Sequence, residues 1–447
     1  MLLLGAAAAR AGTPFHVGVD EDAVVWGDPD LTTGLAKENG FDWIRMSVQW
    51  TSGELSLPLA QLMRVQRAAT AGYLRGVQPV LAIYNANWRS TPADPASQAQ
   101  FVRFVQSVVT AVPATAYVIG NEANSNLYWW PQFDAQGNDL VAPAYERLLA
   151  SSYDAIKAIR PSALVIGGAL DPRGNDWGGP RLSHSPTTFI RDLGAAYRAS
   201  GRQAPIMDVF DEHGYEDTSS LPPAMTHPHS TTISVDDYGK LVALLGAAFD
   251  GTAQKGSTLP ILYGEFGVET SVPPALAGVY TGTQIQGWTQ VDPATQAAYY
   301  AQALKIAMCQ PNVIGLMLFH LTDERDLVGW QSGLYYANGM AKPSQPAIAA
   351  AVQAARAGTL TSCPDRTPPA VSVAAPSPDG TVTVTASDDV GVGGVWLTLG
   401  KRSLGVRYAA PYVFRLRGLR PGRYRLRARA VDAAGNVAAS TLSVVLR

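Results

Sequence analysis

The chain has 447 residues, of which 47% are hydrophobic and only 16% charged, with a formal net charge of −2. That length allows two or three domains with a sizeable core, and the near-neutral balance argues against a nucleic-acid partner for the whole molecule. No run of ~18 apolar residues is long enough to predict a transmembrane helix.

Residues 1–12 read as the remnant of a signal peptide, a short apolar run followed by Ala9-Arg10-Ala11, which resembles a small-x-small cleavage site. With low charge and abundant Gly, Pro, Tyr and Trp, this start predicts a secreted bacterial protein. From residue 13 to 362, short apolar runs alternate with longer helical stretches. Such alternation predicts parallel strands joined by crossover helices. Eight strands are expected, at Phe15–Val19, Trp43–Ser47, Pro79–Tyr84, Tyr117–Gly120, Leu164–Gly167, Met207–Asp211, Ile261–Gly264 and Ile314–Phe319. Segments entering the strands are short, such as Arg160-Pro161-Ser162-Ala163. Segments leaving them are long and rich in Gly, Pro, Asn and Trp. The asymmetry fits a (β/α)8 TIM barrel, whose long loops at the C-terminal strand ends build the active site. No Gly-rich phosphate loop follows the first strand, which speaks against a nucleotide-binding open sheet.

Residues 363–369 form a stiff Pro-rich linker. Beyond it, residues 370–447 carry short alternating runs separated by turn residues about every ten positions, which predicts a small all-β sandwich. Leu419-Arg420-Pro421-Gly422-Arg423-Tyr424, followed by Ala430 to Asn436, resembles the penultimate strand and turn of bacterial immunoglobulin-like modules. From Arg366 onward there are twelve basic and four acidic residues, a net of about +8. Arg415, Arg417, Arg423, Arg425, Arg427 and Arg429 alternate, so they are expected on one exposed face. That face is either simply solvated or docks on a cell wall or acidic polymer. The two cysteines, Cys309 and Cys363, are expected to pair if the compartment is oxidising.

Two strand tips carry chemistry. Strand four runs Tyr117-Val118-Ile119-Gly120-Asn121-Glu122, and strand seven runs Ile261-Leu262-Tyr263-Gly264-Glu265. Carboxyl groups at these two tips would face each other across the barrel mouth. Retaining glycosidases need such a pair: one carboxylic acid protonates the leaving oxygen, and a carboxylate ~5–5.5 Å away attacks the anomeric carbon. The acid then serves as base for the incoming water. An Asn amide beside the acid suits the sugar 2-hydroxyl.

Asn121-Glu122 on strand four with Glu265 on strand seven resembles the clan of retaining (β/α)8 glycoside hydrolases, clan A, with cellulase-like family 5 and β-xylosidase-like family 39 nearest. The resemblance spans the barrel. It implies Glu122 as acid/base and Glu265 as nucleophile, with no cofactor. It also implies Arg45 steadying the nucleophile, His213 and Tyr215 as the aromatic pair beside it, and Asn85 and Trp88 as substrate contacts. The clan often ends strand eight with a Trp, whereas this chain reads Phe319-His320 there. Phe319 or His320 must substitute, or Trp330 must fold back. Trp50, Trp88, Trp129, Trp130, Trp177, Trp288 and Trp330 fall in or near the loops after strands, where indole faces suit pyranose rings.

A lone Glu after a strand is often only a helix-start residue; the two together, with Arg45, His213 and Tyr215, carry the reading. Glu212, Glu269 and Glu324 sit off the strand tips and rank lower. His227 and His229 lack a third ligand at usable spacing, so no metal is expected. Gly-x-Ser-x-Gly is absent, which counts against a serine hydrolase. The expected activity is therefore hydrolysis of a poly- or oligosaccharide. A carbohydrate-binding protein without turnover and a transglycosylase stay open as alternatives.

Overall fold

The computed structural model describes residues 15–176, 183–285, 289–360, 367–388, 391–432 and 435–446. The leader segment, Trp177, Trp288, Cys363 and most of the linker fall outside them. Eight parallel strands, β1 (His16–Asp20), β2 (Trp43–Trp50), β3 (Gln78–Asn85), β4 (Ala116–Ile119), β5 (Leu164–Leu170), β6 (Val209–His213), β7 (Ile261–Phe266) and β8 (Val313–Phe319), close into a barrel. They follow sequence order, and β8 returns to β1 with Gly18 opposite Met317. Every expected strand is present, with β2 and β5 running on to Trp50 and Leu170.

Period two within each strand sorts the side chains. Val80, Ala82, Val118, Ile166 and Leu262 fill the barrel interior, and Leu81, Ile83, Tyr117 and Val165 meet the surrounding helices. Four of those helices start alike, with Asp28-Pro29, Asp94-Pro95, Ser185-Pro186 and Asp292-Pro293. In each, the Asp or Ser side chain accepts from backbone amides of the first turn. Proline supplies a pre-set φ where no amide is needed. The loops leaving β4 to β8 are long and those entering strands are short, so a deep mouth forms at one end.

The C-terminal region folds as two antiparallel sheets. β9 (Ala370–Val373), β10 (Thr381–Ser387) and β13 (Tyr412–Arg415) form one. β11 (Val392–Leu399), β12 (Arg402–Arg407), β14 (Gly422–Asp432) and β15 (Val437–Leu446) form the other. Val382, Val384 and Phe414 from the first meet Val395, Leu397, Leu426 and Ala428 from the second in one core. β12 was not expected, because Gly405, at φ 99°, interrupts its short run. The arginine face needs correction. Arg423, Arg425, Arg427 and Arg429 do lie at alternate positions of β14, but Arg415 belongs to β13 in the opposite sheet, and Arg417 follows it. Sheet membership, which alternation along one strand cannot reveal, separates them.

The four-stranded sheet packs on the barrel helix Tyr238–Phe249. Trp396 of β11, fully buried, sits against Gly246, where an added Cβ would meet the indole at 2.7–2.9 Å. Gly239 and Gly393 bring the two backbones together at the other end. All twelve residues of this helix are buried, as expected of a helix apolar all round. Arg429 pairs with Asp250 at the edge of the contact. Cys309 is disulfide-bonded, and its expected partner Cys363 lies outside the described residues.

Candidate active site

The barrel mouth is built from strand ends. Arg45, on β2, points inward with Asp20 of β1 opposite it in register. Its Nη1 donates to Asp20 and, at 2.6 Å, to Oε1 of Glu265, and its Nη2 donates to Oδ1 of Asn121 at 2.8 Å. That last bond orients the Asn121 amide and leaves its –NH2 as the group it can offer a ligand. The Tyr215 hydroxyl donates to the other Glu265 oxygen at 3.0 Å. Both oxygens of Glu265 are thus engaged, and the carboxylate is held in one orientation.

His213 lies between the two carboxyl groups. Its Nδ1 is 3.0 Å from Oε1 of Glu122, and its Nε2 is 3.4 Å from Oε1 of Glu265. Oxygens of Glu122 and Glu265 come within 4.8 Å of each other. Burial would lower the His213 pKa, but Glu265 and the bond to Glu122 outweigh it, and the imidazole keeps its proton up to about 9. Burial likewise pushes the Glu265 carboxyl up, yet the His213 and Arg45 cations and the bonds from Arg45 and Tyr215 bring it below the ordinary carboxylate value. Glu265 is therefore an ionised carboxylate at neutral pH. These three side chains could also coordinate a cation, but the imidazolium between the carboxylates already supplies positive charge.

Glu122 sits at φ 42°, a left-handed conformation rare for a residue with a side chain. Its amide donates to the Ala169 carbonyl at 2.7 Å and its carbonyl accepts from Ser125 at 2.7 Å, so the turn is pinned on both sides. Backbone strain of this kind gathers at functional sites. Asp171, just past β5 on the neighbouring strand end, shares the mouth with Glu122. Burial, and then the nearby charge of Glu122, lift Asp171 to about 7. A proton is therefore held one side chain away from Glu122 up to neutral pH.

A cavity of about 370 Å³ opens over these groups. Asp20, Arg45, Asn121, Glu122, Tyr215 and Glu265 line its floor, and Asp22, Tyr84, Tyr128, Asp171, Phe319, His320 and Trp330 rise around it. Trp330 folds back from the loop after β8. Its ring lies 4.9 Å from that of Tyr215 and edge-on to Phe319 at 5.5 Å. Phe319 and His320 occupy the strand tip itself.

Not every expected residue reaches the cavity. The Asn85 amide donates to the carbonyls of Asn87 and Tyr128 and braces two loops. Trp129 is buried edge-on to Tyr145, and Trp88 is exposed with Arg89 stacked on it. Trp50 is core. Glu212, alternating with Asp211 and His213 on β6, is fully buried.

No protein-family model and no curated protein matches the sequence. Solved structures do match. A family 39 glycoside hydrolase from Bacteroides cellulosilyticus WH2 aligns over 90% of this chain and 79% of its own, at 16% identity and a TM-score of 0.54. A GH5-4 broad-specificity endoglucanase from Clostridium longisporum aligns over 77% and 97%, at 12% identity and 0.51. An exo-β-1,4-mannosidase from Opitutaceae bacterium strain TAV5 aligns over 80% and 63%, at 16% identity and 0.50. The chain spans less than half the length of several β-glucuronidases that also match. At these identities the likeness is one of fold: the chain shares the parallel (β/α)8 barrel of clan A glycoside hydrolases.

Sequence reasoning missed Asp20, Asp22, Asp171, Tyr84 and Tyr128. Asp20 had a signal, since it stands one residue past the expected end of β1 and opposite Arg45. Asp171 comes directly after the observed end of β5 but four residues past its expected end, so it carried no such signal. Tyr128 lies on a loop with no pattern that marks it.

Proposed function

We propose that this chain hydrolyses O-glycosidic bonds of a poly- or oligosaccharide with retention of configuration. Glu265 attacks the anomeric carbon as Glu122 protonates the departing oxygen, which gives a covalent glycosyl-enzyme. Glu122 then takes a proton from water, and the water oxygen displaces Glu265. The observation that carries this reading is the approach of the two carboxyl groups within 4.8 Å, with Glu265 gripped by Arg45 and Tyr215. An inverting enzyme needs a wider gap for water, ~6.5–9.5 Å. Arg45 and His213 favour the ionised nucleophile. Asn121 offers its amide to the 2-hydroxyl of a bound sugar, and Trp330 and Phe319 offer apolar faces.

The C-terminal sandwich supports an immunoglobulin-like reading through its division into three and four strands and through Tyr424, whose hydroxyl donates to the Arg420 carbonyl at 2.9 Å. Arg423, Arg425 and Arg427, exposed on β14, suit docking on an acidic polymer, testable by salt-dependent retention on a polyanion column. The disulfide at Cys309 favours an oxidising, extracellular location.

The decisive test is turnover on a panel of aryl β-glycosides and soluble polysaccharides, with Glu265→Ala beside the wild type. Activity lost in the variant and partly restored by azide, with an inverted azido sugar as product, supports the assignment. Binding without turnover across the panel would favour a carbohydrate-binding protein, and transfer to added acceptor sugars a transglycosylase.

A further inference from the structure

The strand that carries Glu265 breaks its own alternation. On β7, Leu262 packs inside the barrel, and Tyr263 points outward, where its hydroxyl reaches the Val235 carbonyl and the Gln310 side chain. Period two would then send residue 264 inward and residue 265 outward. Instead Glu265 faces the mouth, bonded to Arg45, and Phe266 turns out to meet Tyr300 edge-on. The register against β6 shows where the phase changes. Asp211 stands opposite Leu262, Glu212 opposite Tyr263 and His213 opposite Glu265, so Gly264 is one residue more than β6 matches. Such a bulge re-aims the side chains beyond it. Without the extra residue, Glu265 would point at the helix layer, away from Arg45 and Tyr215.

Asp211 engages that bulge. It lies on the inner face of β6, two residues before His213, and is fully buried. Its Oδ1 accepts from the Gly264 amide at 2.7 Å. A bulged residue drops out of the ladder, and here the side chain supplies the missing acceptor. Both Asp211 oxygens lie so close to Gly264 that an added Cβ would meet them at 2.3 Å. Gly264 is not in the left-handed region, so the carboxyl, rather than the backbone conformation, requires glycine there. The other oxygen, Oδ2, has no hydrogen-bond partner among the described residues. Burial lifts the Asp211 carboxyl above the ordinary carboxylate range, against the pull of His213 and Arg45. A buried carboxyl left half-satisfied lowers stability, so packing alone does not account for an acid at this position.

We infer that Asp211 is a positioning residue for the nucleophile: by binding the Gly264 amide it holds the β7 bulge that turns Glu265 toward Arg45, Tyr215 and the bound sugar. This rests on the proposed glycosidase reading and adds a residue to it.

Two substitutions at one position test it. Asp211→Asn keeps an acceptor in the same place, and Asp211→Leu keeps the branched shape without one. On the glycoside that wild type cleaves best, kcat of Asp211→Leu should fall about 100-fold, the cost of misplacing a reacting group by ~1 Å, with KM little changed. Asp211→Asn should recover most of that loss. Crystal structures of both variants read the geometry directly. The Glu265 bonds to Arg45 and Tyr215 should persist in Asp211→Asn and be lost in Asp211→Leu. An unmoved Glu265 in Asp211→Leu, or an Asn variant as impaired as the Leu variant, overturns the inference. So does a Leu variant that melts lower yet keeps its kcat below the transition, because that is a structural role only. If Asp211→Leu does not fold, Gly264→Ala replaces it, since the added Cβ would drive the carboxyl off the amide; an unmoved Glu265 there is equally decisive against. If wild type turns over no glycoside, the hydrolase reading fails separately, and the crystallographic comparison alone decides whether Asp211 sets the direction of Glu265.

Discussion

The barrel mouth and the barrel–sandwich junction are both buried, yet they are built from opposite materials. At the mouth, Arg45, Asp211, His213 and Glu265 are charged or polar groups at most 7% exposed, and Arg45 Nε and one oxygen of Asp211 have no hydrogen-bond partner among the described residues. At the junction, Trp396, Val431 and a wholly buried helix meet through apolar contact, with the Arg429–Asp250 pair at the edge. Burying charges that are imperfectly satisfied lowers stability, whereas burying an indole against a close-fitting glycine raises it. Such a division is expected where a site is organised for chemistry and stability is supplied elsewhere.

Substitutions that separate rate from stability test this contrast. The largest effect is expected from Glu265→Ala, which removes the attacking atom and should cut kcat by ~10⁴-fold or more. The same change takes a carboxylate partner from the buried Arg45 and His213, so the melting temperature should fall by a few degrees with the fold intact. A variant that unfolds instead would mean the mouth carries structural weight. Trp396→Ala is the mirror image. It opens a large cavity over Gly246 and should cost ~3–5 kcal/mol in urea unfolding, with kcat/KM unchanged below the transition. Rate loss in parallel with stability would couple the two regions and erase the distinction. Tyr215→Phe is smaller. It deletes one hydrogen bond to an ionised group, ~1.5–3 kcal/mol, so kcat should fall ~10- to 100-fold with little change in melting temperature.

The sequence revealed those parts that depend on chain-local patterns. The strands were legible because each is an apolar run bounded by turn residues, and the catalytic candidates because Glu122 and Glu265 each end such a run. Arg45, His213 and Tyr215 came from the resemblance to clan A rather than from the strand pattern, and the structure gathers all three around Glu265. What stayed hidden depends on how loops fold over the mouth. Asn85, at the tip of β3, and Trp129, in the loop after β4, stand near the mouth, but their side chains turn to the backbone and the core. Trp330 comes back over Tyr215, one of three options that strand eight left open. One signal was present and went unused. The run Val242-Ala243-Leu244-Leu245 is apolar on every face of a barrel helix, and only an outer cover such as the sandwich explains it.

The finest test of the contrast is the pH dependence of stability, because the apolar contacts of the junction do not titrate and the loops around the mouth do. Burial, reinforced by Asp237 and by Asp217, lifts Glu216 to about 8, although Ser234 opposes it. Burial lifts Glu269 to about 7, with Asp323 adding to it and Lys342 opposing. Asp171 is also held at about 7. In each case the folded state binds its proton more tightly than the unfolded chain. Their contribution is therefore complete below the ordinary carboxylate pKa and is lost as pH rises through about 7 to 8. His213 has the same sign in a higher window, between its ordinary value and about 9. The melting temperature should accordingly fall from pH 5 to pH 9 in wild type and in Trp396→Ala alike, with parallel slopes. Glu269→Gln, which cannot ionise, should flatten part of that slope and raise the melting temperature at pH 8 by ~1–3 °C, with little effect at pH 5. Calorimetry at the two pH values reads both. If the slope were steeper in Trp396→Ala than in wild type, the titrating groups would be exposed by loosening the junction, and the two regions would form one cooperative unit rather than a reactive mouth on an independent support.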